Sequence, residues 1–303
     1  MRILVYGAGA VGGFFGGLLA RAGEDVRFVA RGAQLDSLRT SGLTIDSTLL
    51  GAIRLPALAA VGSAREAGPA DLILVCVKTH QLPAILDDLA SAVENGTVIV
   101  PLQNGVEADE VLSSRFPENT VLPAVVYVGA TVEAPGVVRH VAAGTIGIGV
   151  SRARDEAVLP EIREVLARTG QPVHVSRDIQ RERWHKLMWN AAFNSVSAVT
   201  GREPAELLSK PATRALIHDI MSEVLAVGVA RGVDLRREDI DEHISWTGRA
   251  TGLKTSTMVD RERGRTMEID GLLGVIVRKG HDSGVATPCS ATVYALLKAI
   301  DQK

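Results

Sequence analysis

Lys186, Asn190 and Asn194 recur at i, i+4 and i+8 within Arg183-Trp184-His185-Lys186-Leu187-Met188-Trp189-Asn190-Ala191-Ala192-Phe193-Asn194. On an α-helix turning about 100° per residue, these side chains form one narrow polar stripe roughly 12 Å long. The remaining residues are apolar on nearly every side. A polar group that leaves water without a replacement partner costs roughly 2 to 7 kcal/mol. Such a stripe therefore requires facing groups or a ligand. The competing reading is a solvated stripe, with Trp184, Leu187, Met188, Trp189 and Phe193 making a one-sided core contact.

Two more polar positions follow apolar runs of the kind buried in a parallel sheet, Asp71–Val77 and Thr97–Leu102. Lys78-Thr79-His80-Gln81 follows the first and Gln103-Asn104-Gly105-Val106 the second. Ligands of open α/β sheets sit outside the carboxyl ends of the strands. Lys78 is thus placed to meet a cofactor, and Asn104 a cofactor or substrate. Asn104 also suits a plain helix cap before Val106.

The elements that would position these residues begin at the N-terminus. Ile3–Tyr6 is an apolar strand, Gly7-Ala8-Gly9-Ala10-Val11-Gly12 is G-x-G-x-x-G, and Gly13–Arg21 is helical. In that context Gly7 allows the tight turn, Gly9 lets backbone approach a pyrophosphate, and Gly12 lets helix pack on strand. The helix start offers free N–H groups to phosphate. A second strand, Glu24–Ala30, ends at Arg31 rather than at the acid that usually holds an NAD ribose. An arginine fork suits the 2′-phosphate of NADP. The alternative for Arg31 is a solvated residue at a helix start.

Farther along, a helix near Gln34–Thr40 precedes strands or a hairpin over Gly42–Leu55. Val121–Thr131, Val137–Val141 and Thr145–Val150 read as strands, with turns at Pro135-Gly136 and Ala143-Gly144. They are expected to extend the same sheet with antiparallel pairing. A helix over Arg154–Thr169 and a short strand at Pro172–Val175 follow, and from Asp178 only helical periodicity remains. The expected architecture is an α/β Rossmann-type dinucleotide-binding domain over 1–176, then an all-α substrate and catalytic domain over 177–303. Ligand pockets favour domain interfaces, so the helical domain is expected to supply one wall of the site.

In the second half, Lys254-Thr255-Ser256-Thr257-Met258-Val259-Asp260 concentrates hydroxyls where a helix begins, which suits either a carboxylate ligand or ordinary capping. Glu268, taken alone, reads as a solvent-facing acid on a first helical turn. His80, His140 and His185 are scattered, and lone histidines are more often packed or solvated than catalytic.

Composition narrows the partners. The net charge is −2, from 33 basic and 35 acidic residues, so nothing favours nucleic acid or an anionic membrane. Two distant cysteines, scattered histidines and no HExxH argue against a metal site and for a reducing, cytoplasmic setting. Met1–Gly7 enters a strand at once, leaving no room for a signal peptide, and no apolar run reaches the roughly 18 to 20 residues of a membrane span. The helices expected over Pro211–Arg231 and Pro288–Ile300 suit packing within the domain or against a second copy in a homodimer.

Taken together, these segments resemble the ketopantoate reductase (2-dehydropantoate 2-reductase) family over essentially the whole chain. The matching features are GAGAVG, Arg31, CVKTHQ with Lys78, LQNGVE with Asn104, VVRH with His140, HKLMWNAAFN with Lys186, Asn190 and Asn194, and TSTMVDRERGRTMEIDGL with Glu268. The resemblance implies NADPH-dependent reduction of ketopantoate, a small 2-oxo acid, on the route to pantothenate. It implies Lys186 as the general acid, Asn190 and Asn194 as substrate holders, Asn104 as a contact to substrate and nicotinamide, and Ser256 and Thr257 as partners of the substrate carboxylate. Gly7, Ala8, Gly9, Ala10, Val11, Gly12, Arg31, Lys78, Asn104, Ala130 and Glu268 would form the cofactor site.

Two departures from the family pattern bear on the substrate. The family often has serine immediately before the methionine of the hydroxyl cluster, where this chain has Thr257. Some members carry a further substrate-binding Asn about ten residues beyond the second helix Asn, where this chain reads Gly201-Arg202-Glu203-Pro204. Three competitors arise. One is a reductase of another 2-oxo acid or a β-hydroxyacid dehydrogenase, which shares the Lys-x-x-x-Asn pair. The second, a short-chain dehydrogenase, is set aside: its Tyr-x-x-x-Lys pair belongs mid-chain after a catalytic serine, whereas Tyr294 and Lys298 lie in the last helix and read as core packing plus a solvated lysine. The third is a non-catalytic NADP-binding redox sensor.

Overall fold

The computed structural model describes residues 1–250 and 252–301. The chain divides into two compact units, Met1–Gln103 with Ala108–Ile179, and Asn104–Glu107 with Gln180–Lys303.

The strands of the first unit are β1 (Arg2–Tyr6), β2 (Asp25–Val29), β3 (Leu43–Ser47), β4 (Gly51–Leu55), β5 (Ala60–Val61), β6 (Ala70–Val75), β7 (Val93–Pro101), β8 (Thr120–Val121), β9 (Ala124–Ala134), β10 (Val137–Ile148) and β11 (Val173–Val175). Six of them form an all-parallel sheet in the order β5-β2-β1-β6-β7-β8. Alternate residues enter two cores, Ile3, Val5, Leu72 and Leu74 on one face and Leu4, Tyr6, Ile73 and Val75 on the other. Burial on both faces is the reason these strands are continuously apolar rather than alternating. The strand order reverses between β1 and β6, the switch point at which open α/β sheets bind ligands.

The later strands do not extend that sheet. They build a second one, ordered β11-β10-β3-β4, with β9 paired antiparallel to β10. Strand periodicity shows which face is apolar but not which partner it meets. The partner here is helix Ala10–Arg21, which contacts β1 and β2 on one side and β3, β9 and β10 on the other. Two of its glycines permit the close approach: a Cβ on Gly16 would meet the Phe28 ring at 2.7 Å, and one on Gly17 would meet Leu43 at 2.7 Å. Ala143-Gly144, expected as a turn, instead lies within the single strand β10. Ala143 has φ 58°, and the register against β9 shifts there, so the extra residue is absorbed as a bulge.

Helices build the second unit, around a core that includes Trp184, Leu187, Met188, Phe193, Ile217, Val224, Leu273 and Leu297. The expected helix around Lys186 runs from Ile179 to Thr200 but widens into a π-helical turn at Asn190–Asn194. A second π turn, Asp270–Gly274, leads into helix Val275–Asp282, and the two wide turns pack on each other. Met267 and Glu268 therefore precede the helix on whose first turn Glu268 was expected. Among the described residues no helix is long and apolar enough to cross a membrane.

Candidate active site

The glycine turn has the steric form that its spacing implies. Gly7 has φ +103°, and a Cβ on it would meet the Val77 backbone nitrogen at 2.8 Å. On Gly12 a Cβ would stand 2.1 Å from the Gly7 carbonyl oxygen, whereas one on Gly9 would meet nothing within 4 Å. Two of the three glycines thus serve internal packing, and the third leaves open space above the turn. The Gly7 and Ala8 N–H groups donate to the Val29 carbonyl, at 3.1 and 3.3 Å. Among the described residues, Gly9 N–H and the first N–H groups of helix Ala10–Arg21 have no backbone acceptor, which is the donor set an anion requires.

Lys78 follows two residues that lie against this turn: Cys76 N–H donates to the Tyr6 carbonyl at 2.8 Å, and Val77 touches Gly7. Arg31 is exposed just past β2, where it precedes helix Gly32–Thr40, and its guanidinium lies beside the Tyr6 phenol. Ala130 is on β9, paired with His140 on β10. His140 is buried among fixed partners. Its Nε2 lies 2.9 Å from the Ala143 carbonyl, an acceptor only, so Nε2 carries the proton and Nδ1 accepts from Ser47 Oγ at 2.7 Å. Ser47 Oγ in turn accepts from Leu50 N–H at 2.9 Å, and the imidazole stacks on Phe14. His140 is a structural clasp for the bulge and the β3–β4 turn. His80 is exposed. His185 stacks on His243 and faces Asp239, whose two oxygens are held by Arg181 at 2.9 and 3.0 Å.

The stripe residues divide into two groups in the second unit. Lys186 Nζ donates to Asn104 Oδ1 at 2.8 Å, and Asn104 Nδ2 donates to Glu268 Oε2 at 3.4 Å. An ammonium, an amide and a carboxylate thus form a chain in which the amide orientation follows from its partners, since ammonium only donates and carboxylate only accepts. Burial pushes the Lys186 ammonium down to about 8, against the opposing pull of the Glu268 charge. An amine of this kind is charged near neutrality yet releases its proton readily.

Asn190 and Asn194 are 6 % and 2 % exposed, and among the described residues neither side chain has a hydrogen-bond partner. The π turn contributes to their placement. Four-residue spacing drifts by about 40° per step on an α-helix. A wider turn rotates less per residue and offsets that drift between Asn190 and Asn194. The burial of both amides rules out the solvated stripe.

Several of these features lay beyond sequence reasoning. Glu268, expected on a solvent-facing turn, is only 6 % exposed. Asn104 belongs by packing to the second unit and is held there by Gly105: at φ +85°, a Cβ on Gly105 would stand 2.7 Å from the Gly271 carbonyl oxygen. The Asn-Gly pair was the available signal. Ser256 and Thr257 open helix Ser256–Glu262, which packs on the Asn190–Asn194 turn; Ser256 is exposed and Thr257 buried. Thr255, rather than either of them, caps that helix by accepting from Met258 N–H at 3.3 Å. The Tyr294–Lys298 pair is engaged elsewhere, the phenol donating to the Asp270 carboxylate and Lys298 Nζ lying 3.4 Å from it. Burial first, and then Asp270, push the Tyr294 phenol up to about 12.

Comparison with known proteins places this architecture. Residues 3–153 match the family described as ketopantoate reductase PanE/ApbA, and residues 178–301 match its C-terminal domain. The 2-dehydropantoate 2-reductase of Mesorhizobium japonicum is 32% identical, over 99% of this chain and 98% of that protein. The crystal structure of 2-dehydropantoate 2-reductase from Geobacter metallireducens GS-15 superposes with a TM-score of 0.93 at 32% identity, covering 99% of each chain. A D-mandelate dehydrogenase, solved with NADH and anilino(oxo)acetate, superposes with a TM-score of 0.92 at 25% identity over 99% of this chain and 98% of that one. A Rossmann-type unit followed by a helical unit with a half-buried lysine defines an oxidoreductase acting on a C=O/CH–OH pair. More narrowly, the chain belongs to the ketopantoate reductase family.

Proposed function

We propose that this chain reduces 2-dehydropantoate to pantoate with NADPH, in pantothenate and coenzyme A biosynthesis in the cytoplasm. The observation that carries the reading is the Lys186–Asn104–Glu268 chain beside two buried amides, Asn190 and Asn194, that have no hydrogen-bond partner among the described residues. Buried polar groups without partners carry a desolvation cost of about 1 to 3 kcal/mol each, which a bound polar ligand would offset. The glycine turn fits a dinucleotide, with space over Gly9 and unengaged N–H groups at the helix start. In this reading Gly7–Gly12, Lys78 and Ala130 belong to the cofactor site of the 1–176 domain. Arg31 takes the 2′-phosphate, and Asn104 and Glu268 help to position the cofactor.

Bound nicotinamide supplies the hydride for the substrate carbon. Lys186 donates a hydrogen bond to the carbonyl oxygen, stabilises the negative charge that develops there and transfers a proton from Nζ to it. Asn104 keeps the ammonium in place, while Asn190 and Asn194 in the 177–303 domain hold the substrate. Ser256 and Thr257 take its carboxylate. General-acid help of this kind contributes about 10² to 10⁴ in rate.

A panel of 2-oxo acids assayed for NADPH oxidation tests the proposal. 2-Dehydropantoate is expected to give the highest kcat/KM, and NADH to be a poor replacement for NADPH. The second reading, an aryl-substituted or other 2-oxo acid with NADH, is favoured by the likeness to D-mandelate dehydrogenase and by the absence of a family Asn near Pro204. Faster turnover of phenylglyoxylate than of 2-dehydropantoate would establish it. Tight NADPH binding without oxidation by any member of the panel would point to a redox sensor.

A further inference from the structure

Gln34 lies on the first turn of helix Gly32–Thr40, three residues past Arg31. Its half-buried amide makes two hydrogen bonds. Nε2 donates to the Ala8 carbonyl at 2.8 Å, and Oε1 accepts from Gly136 N–H at 2.9 Å. A carbonyl only accepts and a backbone N–H only donates, so both partners require the same amide orientation. Ala8 belongs to the glycine turn and Gly136 to the tip of the β9–β10 hairpin.

A trans peptide points its C=O and N–H in opposite directions. Holding the Ala8 carbonyl on the Gln34 side therefore directs the Gly9 N–H to the other side. The Gly7 and Ala8 N–H groups already donate to Val29, so Gly9 supplies the first N–H of the turn with no backbone acceptor among the described residues. We propose that Gln34 is a positioning residue for the cofactor pyrophosphate: it locks the Ala8–Gly9 peptide so that Gly9 N–H joins the N–H groups of the helix start in binding phosphate. The proposal rests on the NADPH reading above.

Without that lock, the Ala8–Gly9 peptide is free to rotate, because Gly9 has no Cβ to oppose it. A flipped peptide would turn a carbonyl oxygen toward the phosphate. The hairpin tip keeps Gln34 itself from swinging away. Ser37 Oγ, one turn on, donates to the Pro135 carbonyl at 3.2 Å. Gly136 has φ +72°, and a Cβ there would stand 2.1 Å from Ser37 Oγ. Helix, hairpin tip and glycine turn are thereby joined through one side chain.

Two variants of the full chain separate positioning from packing. Gln34→Met keeps the length and volume of the side chain but loses both hydrogen bonds. Gln34→Glu keeps the acceptor for Gly136 and loses the donor to Ala8. Fluorescence titration with NADPH is expected to show affinity lowered about 10-fold in both, the loss of one bond to a charged ligand. At saturating NADPH, kcat and the KM for 2-dehydropantoate should stay within about twofold of wild type, and ligand-free Gln34→Glu should keep the wild-type Tm. An NADPH Kd for Gln34→Met within about twofold of wild type overturns the assignment. So does an affinity loss that appears in both variants only together with a lowered ligand-free Tm. If the wild-type chain itself bound neither NADPH nor NADH, the cofactor reading would fall first and this assignment with it.

Discussion

The glycine turn and the Lys186 cluster are built from different materials. The turn is backbone: six consecutive residues, a positive φ at Gly7 and unengaged N–H groups. The cluster is side chain, and its members are 82 residues apart at the Asn104–Lys186 step and 164 apart at the Asn104–Glu268 step. A backbone site depends on what side chains leave out, whereas a side-chain site depends on where distant segments place them. Substitutions should therefore fail in different ways in the two regions.

The largest effect expected is at Lys186. Lys186→Ala should lower kcat by about 10² to 10⁴ while leaving the NADPH Kd within about twofold. Steady-state kinetics with a parallel binding titration would show this, and near-normal turnover by a folded variant would remove the proposed acid. The three glycines then sharpen the contrast. Gly12→Ala places a Cβ 2.1 Å from the Gly7 carbonyl oxygen and should lower stability by about 1 to 3 kcal/mol in denaturant unfolding. Gly9→Ala, with nothing within 4 Å, should keep wild-type stability and lose only NADPH affinity. Equal stability losses in both would break the division between packing and ligand glycines.

Asn190→Ala should raise the KM for the 2-oxo acid about 10-fold without lowering Tm, because the amide it removes has no hydrogen-bond partner among the described residues to lose. A fall in Tm would show instead that the amide stabilises the fold. The smallest effect is in pH. Lys186 must be protonated to act, and burial brings its ammonium down to about 8, so kcat/KM should decline as pH rises through about 8. Glu268 opposes the effect of burial, so Glu268→Gln should move that decline to lower pH. An unmoved profile would separate Glu268 from the ammonium it appears beside in the chain Lys186–Asn104–Glu268.

The same contrast explains what was legible beforehand. The turn was readable because its chemistry is contiguous and glycine spacing reports directly on backbone geometry. The helices of the second unit were readable because 3.6-residue periodicity needs no knowledge of partners. The extended stretches of β9 and β10 are legible in the sequence, but the continuity of β10 through Ala143-Gly144 and the sheet both strands join are not, since alternation specifies a face and leaves its partner open. Glu268 is an ordinary first-turn acid until Asn104 is placed against it. Neither π turn has a local signature, because a wide turn arises where two helices accommodate each other, as Asn190–Asn194 and Asp270–Gly274 do.

Local sequence alone determined the glycine turn, the absence of an acid after β2, the polar residues following β6 and β7, and a helix carrying Lys186, Asn190 and Asn194. Each depends on neighbours a few residues away. Tertiary structure alone decided that the Lys186 ammonium meets Asn104 and, through it, Glu268, that both stripe amides are buried without hydrogen-bond partners among the described residues, and that Gln34 holds the Ala8 carbonyl. Hydrogen bonding and desolvation act over about 3 Å in space. Separation along the chain carries no information about that distance until the chain has folded.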